Sequence, residues 1–425
     1  MRVGRWAGGA LIAANAAVVA LLWAVGLESL DGAGEVLAAA GRLCGLLGAY
    51  VALLALLLVG LGRLTGRHAL LGRWCVSLLV AHTLLITAGY TVGDRISLWA
   101  ELKRLVSGYP GVITAIAGLA LLIAVAVTSA RFARRKLRYE TWYFVHLYAY
   151  LGVALAFSHQ LATGTAFVGR PLARAYWTAL YVGTLAVLVV GRLGVPVARS
   201  AYHRLRVVRV IDEAPGVTSI EIGGRRLERL RARSGQFFTW RFLTRDRWWE
   251  AHPFSLSAAP DGKRLRITVK GVGEYTSSLR ALRPGTRVIA EGPFGAFTAA
   301  ARRRRRVVLI AGGVGITPIR ALLEDMPGAP GDIAVVYRAL GPEDVILRHE
   351  LDELARTRGA ELHYVIGDHR DGELLSPGHL RRLVPDIADR DVYVCGPPAM
   401  TDATRATLDR SGVARGHIVT ERFAF

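Results

Sequence analysis

The chain is poor in cysteine and in acidic residues. Only three of its 425 residues are cysteines, Cys44, Cys75 and Cys395, and their spacing fits neither a disulfide framework nor a metal-ligand motif. The 54 lysine and arginine residues outnumber the 33 aspartate and glutamate residues, which gives a formal net charge of +21. The sequence carries no signature of a nucleic-acid-binding module and no EF-hand calcium loop. We therefore expect no nucleic-acid partner and no direct calcium control.

Apolar residues are abundant, and they are unevenly distributed. The chain is 52% hydrophobic, with a mean hydropathy of +0.33. Nearly all the long apolar runs lie before about residue 198, and from about residue 204 short strand-like and helix-like segments alternate, as in soluble α/β proteins. With a membrane half present, the excess of basic residues favours an anionic lipid surface as the partner.

The first half contains six segments that are apolar for long enough to cross a hydrocarbon core of about 30 Å. We read the first as a helix because it lacks the clear small-residue cleavage site of a signal peptide. The six predicted spans cover residues 7–27, 40–62, 68–90, 111–130, 142–162 and 174–195.

The distribution of basic residues predicts the orientation of these spans. Basic residues near the amino terminus, in the second-to-third and fourth-to-fifth connections and after the sixth span indicate the cytoplasmic side. We therefore expect an integral protein of the cell membrane with both termini and the soluble half in the cytoplasm. The third-to-fourth connection departs from this rule, because it carries Arg95, Lys103 and Arg104.

The only histidines of the membrane half are His68, His82, His146 and His159, and they lie in the third and fifth predicted spans. Each pair within a span is about 20 Å apart along its helix. Because the two spans run in the same direction, His68 and His146 lie at one depth and His82 and His159 at another. Neutral imidazoles are good axial ligands of haem iron, so the pattern predicts two stacked b-type haems. Packing histidines or a proton relay is the alternative.

The spacing of 13 residues between His146 and His159 does not fit a regular helix. It rotates the second ring by about 140° from the first at about 3.6 residues per turn. The two rings can face one partner helix only if the fifth span is locally irregular, and Gly152 is a candidate for that irregularity.

The second half contains two kinds of pattern. Short strands separated by glycine and proline run from residue 204 to about residue 300 and predict an antiparallel β-barrel. From Val307 onward strands and helices alternate, which predicts a parallel sheet covered by helices. The predicted domains are residues 1–200, 201–300 and 301–425. Within the last, "AGGVGITP" follows a strand and opens a helix, as phosphate-binding loops do, although the third glycine of a Rossmann fingerprint is missing.

The segments "HPFSLS", "VKGVGEYTSSL", "EGPFG", "GGVGITP", "VCGPP" and "ERFAF" occur in this order. Their order resembles the ferredoxin–NADP reductase superfamily. Preceded by six apolar segments with two histidine pairs, the chain resembles the ferric reductase and NADPH oxidase family over about residues 40–425.

The resemblance implies binding sites for FAD and for NAD(P)H. The flavin and its ribityl chain would contact His252, Pro253, Phe254, Ser255 and Ser257. The FAD pyrophosphate would be held by Lys270, Gly273 and Thr276, and Phe425 would stack on the flavin. The nicotinamide dinucleotide would be bound by Gly313, Gly315, Thr317, Cys395, Gly396 and Pro397. Arg338 follows the second strand of the dinucleotide domain, where an arginine can bind a 2′-phosphate, so we favour NADPH over NADH.

The resemblance further implies a transmembrane oxidoreductase that passes electrons from cytoplasmic NAD(P)H through FAD and two haems to an acceptor outside. Oxidases of the family tend to have another histidine one turn beyond the outer haem ligand, where this chain has Ile86. That difference favours ferric iron or another metal chelate as the acceptor. The alternatives are a superoxide-producing NADPH oxidase, a membrane-anchored electron donor to a partner protein or quinone, and a transporter with a histidine proton relay.

Overall fold

The computed structural model describes residues 2–27, 30–62, 66–130, 133, 139–368 and 373–422. It divides into two compact units, Met1–Gly194 and Val195–Phe425. Each unit is described by itself below.

The first unit is helical, and helices are found in all six predicted spans. In chain order they are α1 (Arg2–Val25), α2 (Ala33–Gly60), α3 (Gly66–Asp94), α4 (Leu98–Gly108), α5 (Val112–Ser129), α6 (Tyr139–Leu155), α7 (Phe157–Thr163) and α8 (Pro171–Val189). Among the described residues, four helices are long and apolar enough to cross a membrane: Ala33–Gly60, His68–Asp94, Val112–Ser129 and Pro171–His203. The short helix α4 lies in the third-to-fourth connection and has no counterpart among the predicted elements.

Small residues allow α2 and α3 to approach closely. A Cβ atom on Gly34 would lie 2.6 Å from the Gly93 nitrogen, and one on Gly48 would lie 2.9 Å from Leu79. A Cβ atom on Gly41 would lie 3.0 Å from the side chain of Ile86. Such small-residue stripes are the usual means by which membrane helices pack backbone against backbone. The stripe therefore holds the middle of α3 directly against α2.

The fifth predicted span is irregular, but the irregularity is not at Gly152. The helix is interrupted at Ala156, between α6 and α7. Gly152 instead lies against α5, where a Cβ on Gly118 would be 2.5 Å from the Gly152 carbonyl oxygen. Gly152 is thus required for the close packing of two helices, and the interruption of the helix lies one turn later.

The second unit begins with α9 (Val195–His203) and two antiparallel sheets. One sheet has the order β1 (Arg206–Ala214), β2 (Val217–Gly223), β5 (Arg264–Lys270), and the other β4 (His252–Ser255), β3 (Phe237–Phe242), β6 (Val288–Phe294). Isolated bridges, Arg206 with Arg287 and Leu256 with Ile267, join the sheets at two edges. At these edges the predicted barrel has single bridges in place of continuous strand pairing. The short helix α10 (Glu274–Ser278) follows β5.

The carboxyl-terminal part is a five-stranded parallel sheet, as the β-α-β pattern predicts. Its order is β11 (Ile418–Arg422), β10 (Asp391–Gly396), β7 (Val307–Gly312), β8 (Ile333–Ala339), β9 (Glu361–Ile366). Every residue of β7, β8 and β10 is buried, because helices cover both faces of a parallel sheet. The helices are α11 (Ile316–Asp325), α12 (Arg348–Arg358), α13 (Pro377–Leu383) and α14 (Pro398–Arg410).

Candidate functional site

The four membrane histidines form two pairs between α3 and the α6–α7 segment. The ring centroids of His68 and His146 are 6.0 Å apart with an interplanar angle of 62°. Those of His82 and His159 are 6.4 Å apart at 39°. The break at Ala156 lies between His146 and His159, so the second ring need not follow the rotation of a regular helix. The structure thus brings together the residues that the sequence pairs by depth.

Hydrogen bonds orient one histidine ring of each pair. Nδ1 of His82 lies 2.8 Å from the carbonyl oxygen of Gly41. Because a carbonyl only accepts, this nitrogen carries the proton of the neutral ring, and Nε2 keeps its lone pair for a metal. Nδ1 of His146 is 3.3 Å from the Ser129 hydroxyl, which accepts a hydrogen bond from the indole nitrogen of Trp142 at 3.2 Å.

The partner ring of each pair is held less firmly. Nδ1 of His68 is buried and has no hydrogen-bond partner among the described residues. His159 lies near the carbonyl of Ala156, but its Nδ1 does not meet hydrogen-bonding geometry. Each pair therefore consists of one hydrogen-bonded ring and one ring whose Nδ1 has no hydrogen-bond partner among the described residues.

Glycine residues leave room for the second pair. A Cβ atom on Gly45 of α2 would lie 2.7 Å from Nδ1 of His82. Gly111 precedes α5 and has a φ of +81°. A Cβ atom on this residue would lie 2.9 Å from the backbone nitrogen of His159. Two imidazoles bound to opposite sides of one metal, with bonds of about 2 Å each, have ring centroids roughly 6 Å apart. Both observed spacings fit that arrangement, so the donor set is suited to two bis-histidine haems.

In the second unit, the predicted flavin residues lie around β4. The His252 ring stacks on Tyr275 at a centroid distance of 3.9 Å, and its Nε2 lies 3.4 Å from a carboxylate oxygen of Glu250. Burial raises the pKa of Tyr275. The Phe254 carbonyl accepts a hydrogen bond from Trp240 at 3.0 Å, which ties β4 to β3. His252 therefore presents an aromatic surface beside the strand.

The serines near β4 differ in their surroundings. The hydroxyl of Ser255 is buried without a hydrogen-bond partner among the described residues, as expected of a group that meets a ligand. Ser257 is fully buried and accepts a hydrogen bond from Thr268 at 2.8 Å. Thr268 is in turn 2.7 Å from the hydroxyl of Ser219. These hydroxyl groups thus link the segment after β4 to β5 and β2, whereas Pro253 is exposed.

The predicted pyrophosphate residues have partners within the protein. Nζ of Lys270 lies 2.9 Å from a carboxylate oxygen of Asp344, and the hydrogen bond from Lys270 lowers the pKa of Asp344. The Thr276 hydroxyl accepts hydrogen bonds from the backbone of Val272 and Gly273, each at 3.0 Å. In this structure the lysine and the amides of the turn are thus paired within the protein, and their role with the FAD pyrophosphate stays a prediction.

The predicted nicotinamide residues come together at the carboxyl end of the parallel sheet. Gly313 adopts a φ of +54°, and a Cβ on Gly315 would overlap the carbonyl of Cys395. Gly396 and Pro397 lead from β10 into α14, and the hydroxyl of Thr317 donates to the Val314 carbonyl at 3.0 Å. The loop after β7 and the end of β10 are thus in direct contact.

Burial raises the pKa of one thiol and of one carboxyl group at this end of the sheet. Cys395 is fully buried, and burial raises the pKa of its thiol. Glu421 is its partner in register on β11, and burial raises the pKa of Glu421 to about 7. The sequence analysis did not single out Glu421, because only strand register places it beside Cys395.

Arg338 is almost fully buried at the end of β8. Its guanidinium donates to the carbonyl oxygens of Asp368, at 2.9 Å, and Val365, at 3.3 Å. Its predicted role with a 2′-phosphate stays a prediction. Phe425 lies outside the described residues, so its predicted stacking on the flavin also stays a prediction.

Other residues at these sites were missed in the sequence analysis. Gly41, Gly45, Ser129 and Trp142 surround the histidines, and Tyr275 and Asp344 accompany the flavin residues. The glycine stripe of α2 was the available signal for the first two, since small residues at helical spacing indicate close packing. No local sequence pattern indicated Ser129, Trp142, Tyr275 or Asp344.

Three family models match the chain. A ferric reductase like transmembrane component matches residues 40–157, an FAD-binding domain matches residues 208–298, and an oxidoreductase NAD-binding domain matches residues 309–406. The chain belongs to the ferric reductase and NADPH oxidase family. The family resemblance seen in the motifs is thereby confirmed, and the chain combines a ferric reductase like transmembrane component with an FAD-binding domain and an oxidoreductase NAD-binding domain.

Individual relatives and solved structures match part of the chain. Ferredoxin–NADP reductase B of Sorangium cellulosum (strain So ce56) is 32% identical over 189 residues, which are 40% of this chain and 77% of that protein. NADH-cytochrome b5 reductase 1 of Ajellomyces capsulatus is 29% identical over 35% of the chain, and the match spans only 53% of that relative. The FAD/NAD-binding domain of nitric oxide dioxygenase from Vibrio cholerae aligns with a TM-score of 0.42 and 24% identity, over 52% of this chain and 98% of that one.

Proposed function

We propose that this oxidoreductase carries electrons across the cell membrane, from NADPH bound on the cytoplasmic side to ferric iron or another metal chelate outside. Two haems would be held by His68 with His146 and by His82 with His159. The observation that supports the proposal is the presence of two histidine pairs, whose ring spacings are compatible with the ligation of one iron by each pair. Haem iron supplies one-electron transfer, and FAD supplies the conversion of a hydride into single electrons.

The protein's own residues would mainly bind and orient these groups. The carbonyl of Gly41 keeps the proton of His82 on Nδ1, which leaves Nε2 free. For His146 to act in the same way, Ser129 must accept from Nδ1, and the donation from Trp142 to Ser129 is compatible with that arrangement. If each pair holds one haem, ligation of the iron by two histidines would favour electron transfer over the binding of small ligands.

In the reductase module, the protein's residues would bind and position FAD and NAD(P)H, and none would need to act as an acid or a base. His252 and Ser255 would face the flavin, and Lys270 with the Val272–Thr276 turn would hold the pyrophosphate. Gly313 and Gly315 allow the backbone to approach the dinucleotide phosphates at the start of a helix. Cys395 and Glu421 would border the nicotinamide in a largely dry site.

The absorption spectrum of the purified membrane protein, oxidised and then reduced by NADPH under nitrogen, tests the proposal. We expect a low-spin b-haem spectrum, with two haems and one flavin in each chain. His82→Leu should remove one haem and leave flavin reduction intact, and Leu84→Ala, two residues away on the same helix, should retain both. A flavin spectrum without haem, in protein produced with adequate haem, would contradict the haem assignment.

The acceptor is tested separately. With both haems present, NADPH-driven reduction of a membrane-impermeant ferric chelate under nitrogen should exceed oxygen uptake in air, because Ile86 replaces the additional histidine associated with oxidases. The reverse ratio would favour a superoxide-producing oxidase. Haem that is reduced but not reoxidised by the chelate would favour a donor to a partner protein or quinone.

A further inference from the structure

The short helix α4 is confined to one surface of the membrane. It is joined to α3 by residues 95–97 and to α5 by residues 109–111, and both neighbours are candidate membrane spans. Three extended residues reach only about 10 Å. Its 11 residues would extend only about 16 Å as a helix, which is too short to cross a core of about 30 Å. Its axis must therefore remain close to the bilayer surface at the ends of these two spans.

One face of α4 is apolar and uncovered. Trp99 is 68% exposed and Leu98 is 57% exposed, and Leu102 and Val106 continue the same face at helical spacing, both exposed. Four large apolar side chains on one stripe exceed the isolated apolar residues that normally occur on a surface. The stripe defined by Leu98, Trp99, Leu102 and Val106 is called the apolar stripe below.

Outside the apolar stripe, α4 has polar side chains that are exposed and one acidic side chain that is buried against the protein. Lys103 and Ser107 are exposed on the side away from the protein. Glu101 is fully buried, and Arg104 lies 2.9 Å from its carboxylate. Arg104 also pairs with Asp94 at the end of α3. Because separating a buried carboxylate from its counter-ion is costly, this ion-paired triad fixes the rotation of α4 and keeps the apolar stripe facing outward.

We propose that α4 lies in the plane of the membrane interface, with the apolar stripe among the lipids. Lipid is the occupant because the helix ends are attached to two membrane spans, so the stripe continues the lipid-facing surface of the bundle. Nζ of Lys103 lies 5.5 Å from the centre of the Trp99 ring, which places a cation beside an aromatic ring where headgroup phosphates meet acyl chains.

This position accounts for the basic residues that depart from the charge rule. Arg95, Lys103 and Arg104 belong to or adjoin an amphipathic surface helix, in which basic side chains are attracted to anionic headgroups. Arg104 is in addition neutralised by Asp94 and Glu101. The positive charge of this connection therefore reflects interfacial binding and does not require that it face the cytoplasm.

Fluorophore labels on opposite faces of α4 test the proposal. An environment-sensitive fluorophore is attached through Leu102→Cys on the apolar stripe or Ser107→Cys on the polar face, in full-length protein whose three native cysteines are alanine. Val182→Cys, exposed on the span α8, is the lipid-facing control. The proteins are reconstituted in phosphatidylcholine vesicles, and quenching is measured with bromine-labelled acyl chains and with aqueous iodide.

We expect the Leu102 label to be quenched by brominated lipid at least about twofold more than the Ser107 label, as for a side chain about 5–10 Å inside the interface. Iodide should quench the two labels in the opposite order. Equal iodide quenching at both positions would overturn the proposal, because the helix would then stand in water. A Leu102 label protected from both quenchers would also overturn it, because a protein surface would then cover the stripe.

Discussion

The carbonyl oxygen of Gly41 on α2 lies 2.8 Å from Nδ1 of His82 on α3, the shortest anchor of any of the four membrane histidines in the described part of the chain. A backbone carbonyl cannot rotate away or change its protonation, so it fixes both the tautomer and the direction of the ring. The close approach of His82 to α2 depends on the glycines of that helix, and Gly45 is one of them.

Gly45→Ala should displace His82. The added Cβ would lie 2.7 Å from Nδ1 and 3.0 Å from Cε1 of the ring, and closely packed helices cannot separate locally without cost. We expect loss of one of the two haems and a lower melting temperature, measured by the haem-to-flavin ratio and by thermal unfolding in detergent. Gly183→Ala is the control, since its Cβ would meet nothing within 4 Å. Full haem content in Gly45→Ala would contradict the placement of His82.

Ser129→Ala should affect only the haem held by His68 and His146. The substitution removes the hydroxyl that lies between His146 and Trp142, and loss of such an outer hydrogen bond lowers metal affinity by about 10- to 100-fold. Redox titration followed by absorption should show one altered midpoint potential and one unchanged. Ser107→Ala, on an exposed face of α4, should leave both potentials as in the wild type. A change at both haems would indicate a general loss of packing.

Lys270→Met should weaken FAD binding, and Asp344→Asn should not. Lys270 pairs with Asp344 in the structure, so FAD must compete with this carboxylate if Lys270 holds the pyrophosphate. Loss of a charged hydrogen bond corresponds to about 1.5–3 kcal/mol, or roughly 10- to 100-fold in the dissociation constant. Flavin fluorescence titration of the apoprotein measures the dissociation constant of FAD for each variant. Equal weakening by both substitutions would show that the ion pair itself matters, through the packing of the two sheets.

Stability of the reductase module should fall as the pH rises from the ordinary glutamate range to about 7, the value to which burial raises the pKa of Glu421. Burial raises its folded-state pKa above the ordinary value of a glutamate, so folding favours the protonated form. Its contribution is fully present below the unfolded-state pKa and is lost as the pH rises through the folded-state pKa.

Thermal unfolding of wild type and Glu421→Gln over this pH range measures the effect. The wild-type melting temperature should decline with pH relative to that of Glu421→Gln, in which the position cannot ionise. Glu361→Gln, exposed at the start of β9, should retain the wild-type profile. Identical profiles for wild type and Glu421→Gln would contradict a raised pKa of Glu421 in the folded state.

Periodicity and spacing were sufficient for much of the architecture. Short strands separated by glycine and proline predicted the antiparallel sheets, and the alternation of strands with helices from Val307 onward predicted the parallel sheet covered by helices. The depths of His68, His82, His146 and His159 follow from helix rise alone. The order of the motifs was enough to indicate the family, which the family models confirm.

Tertiary structure decided which groups meet. Lys270 and Asp344 are separated by 74 residues, and Glu421 faces Cys395 only through the register of β11 on β10. The break at Ala156 and the role of Gly152 against Gly118 depend on how two helices pack. The sequence by itself therefore determined the elements, the depths of the histidines and the family, because these follow from local periodicity and motif order. Orientation of each ring, the partners of each charge and the outward face of α4 were decided by long-range packing.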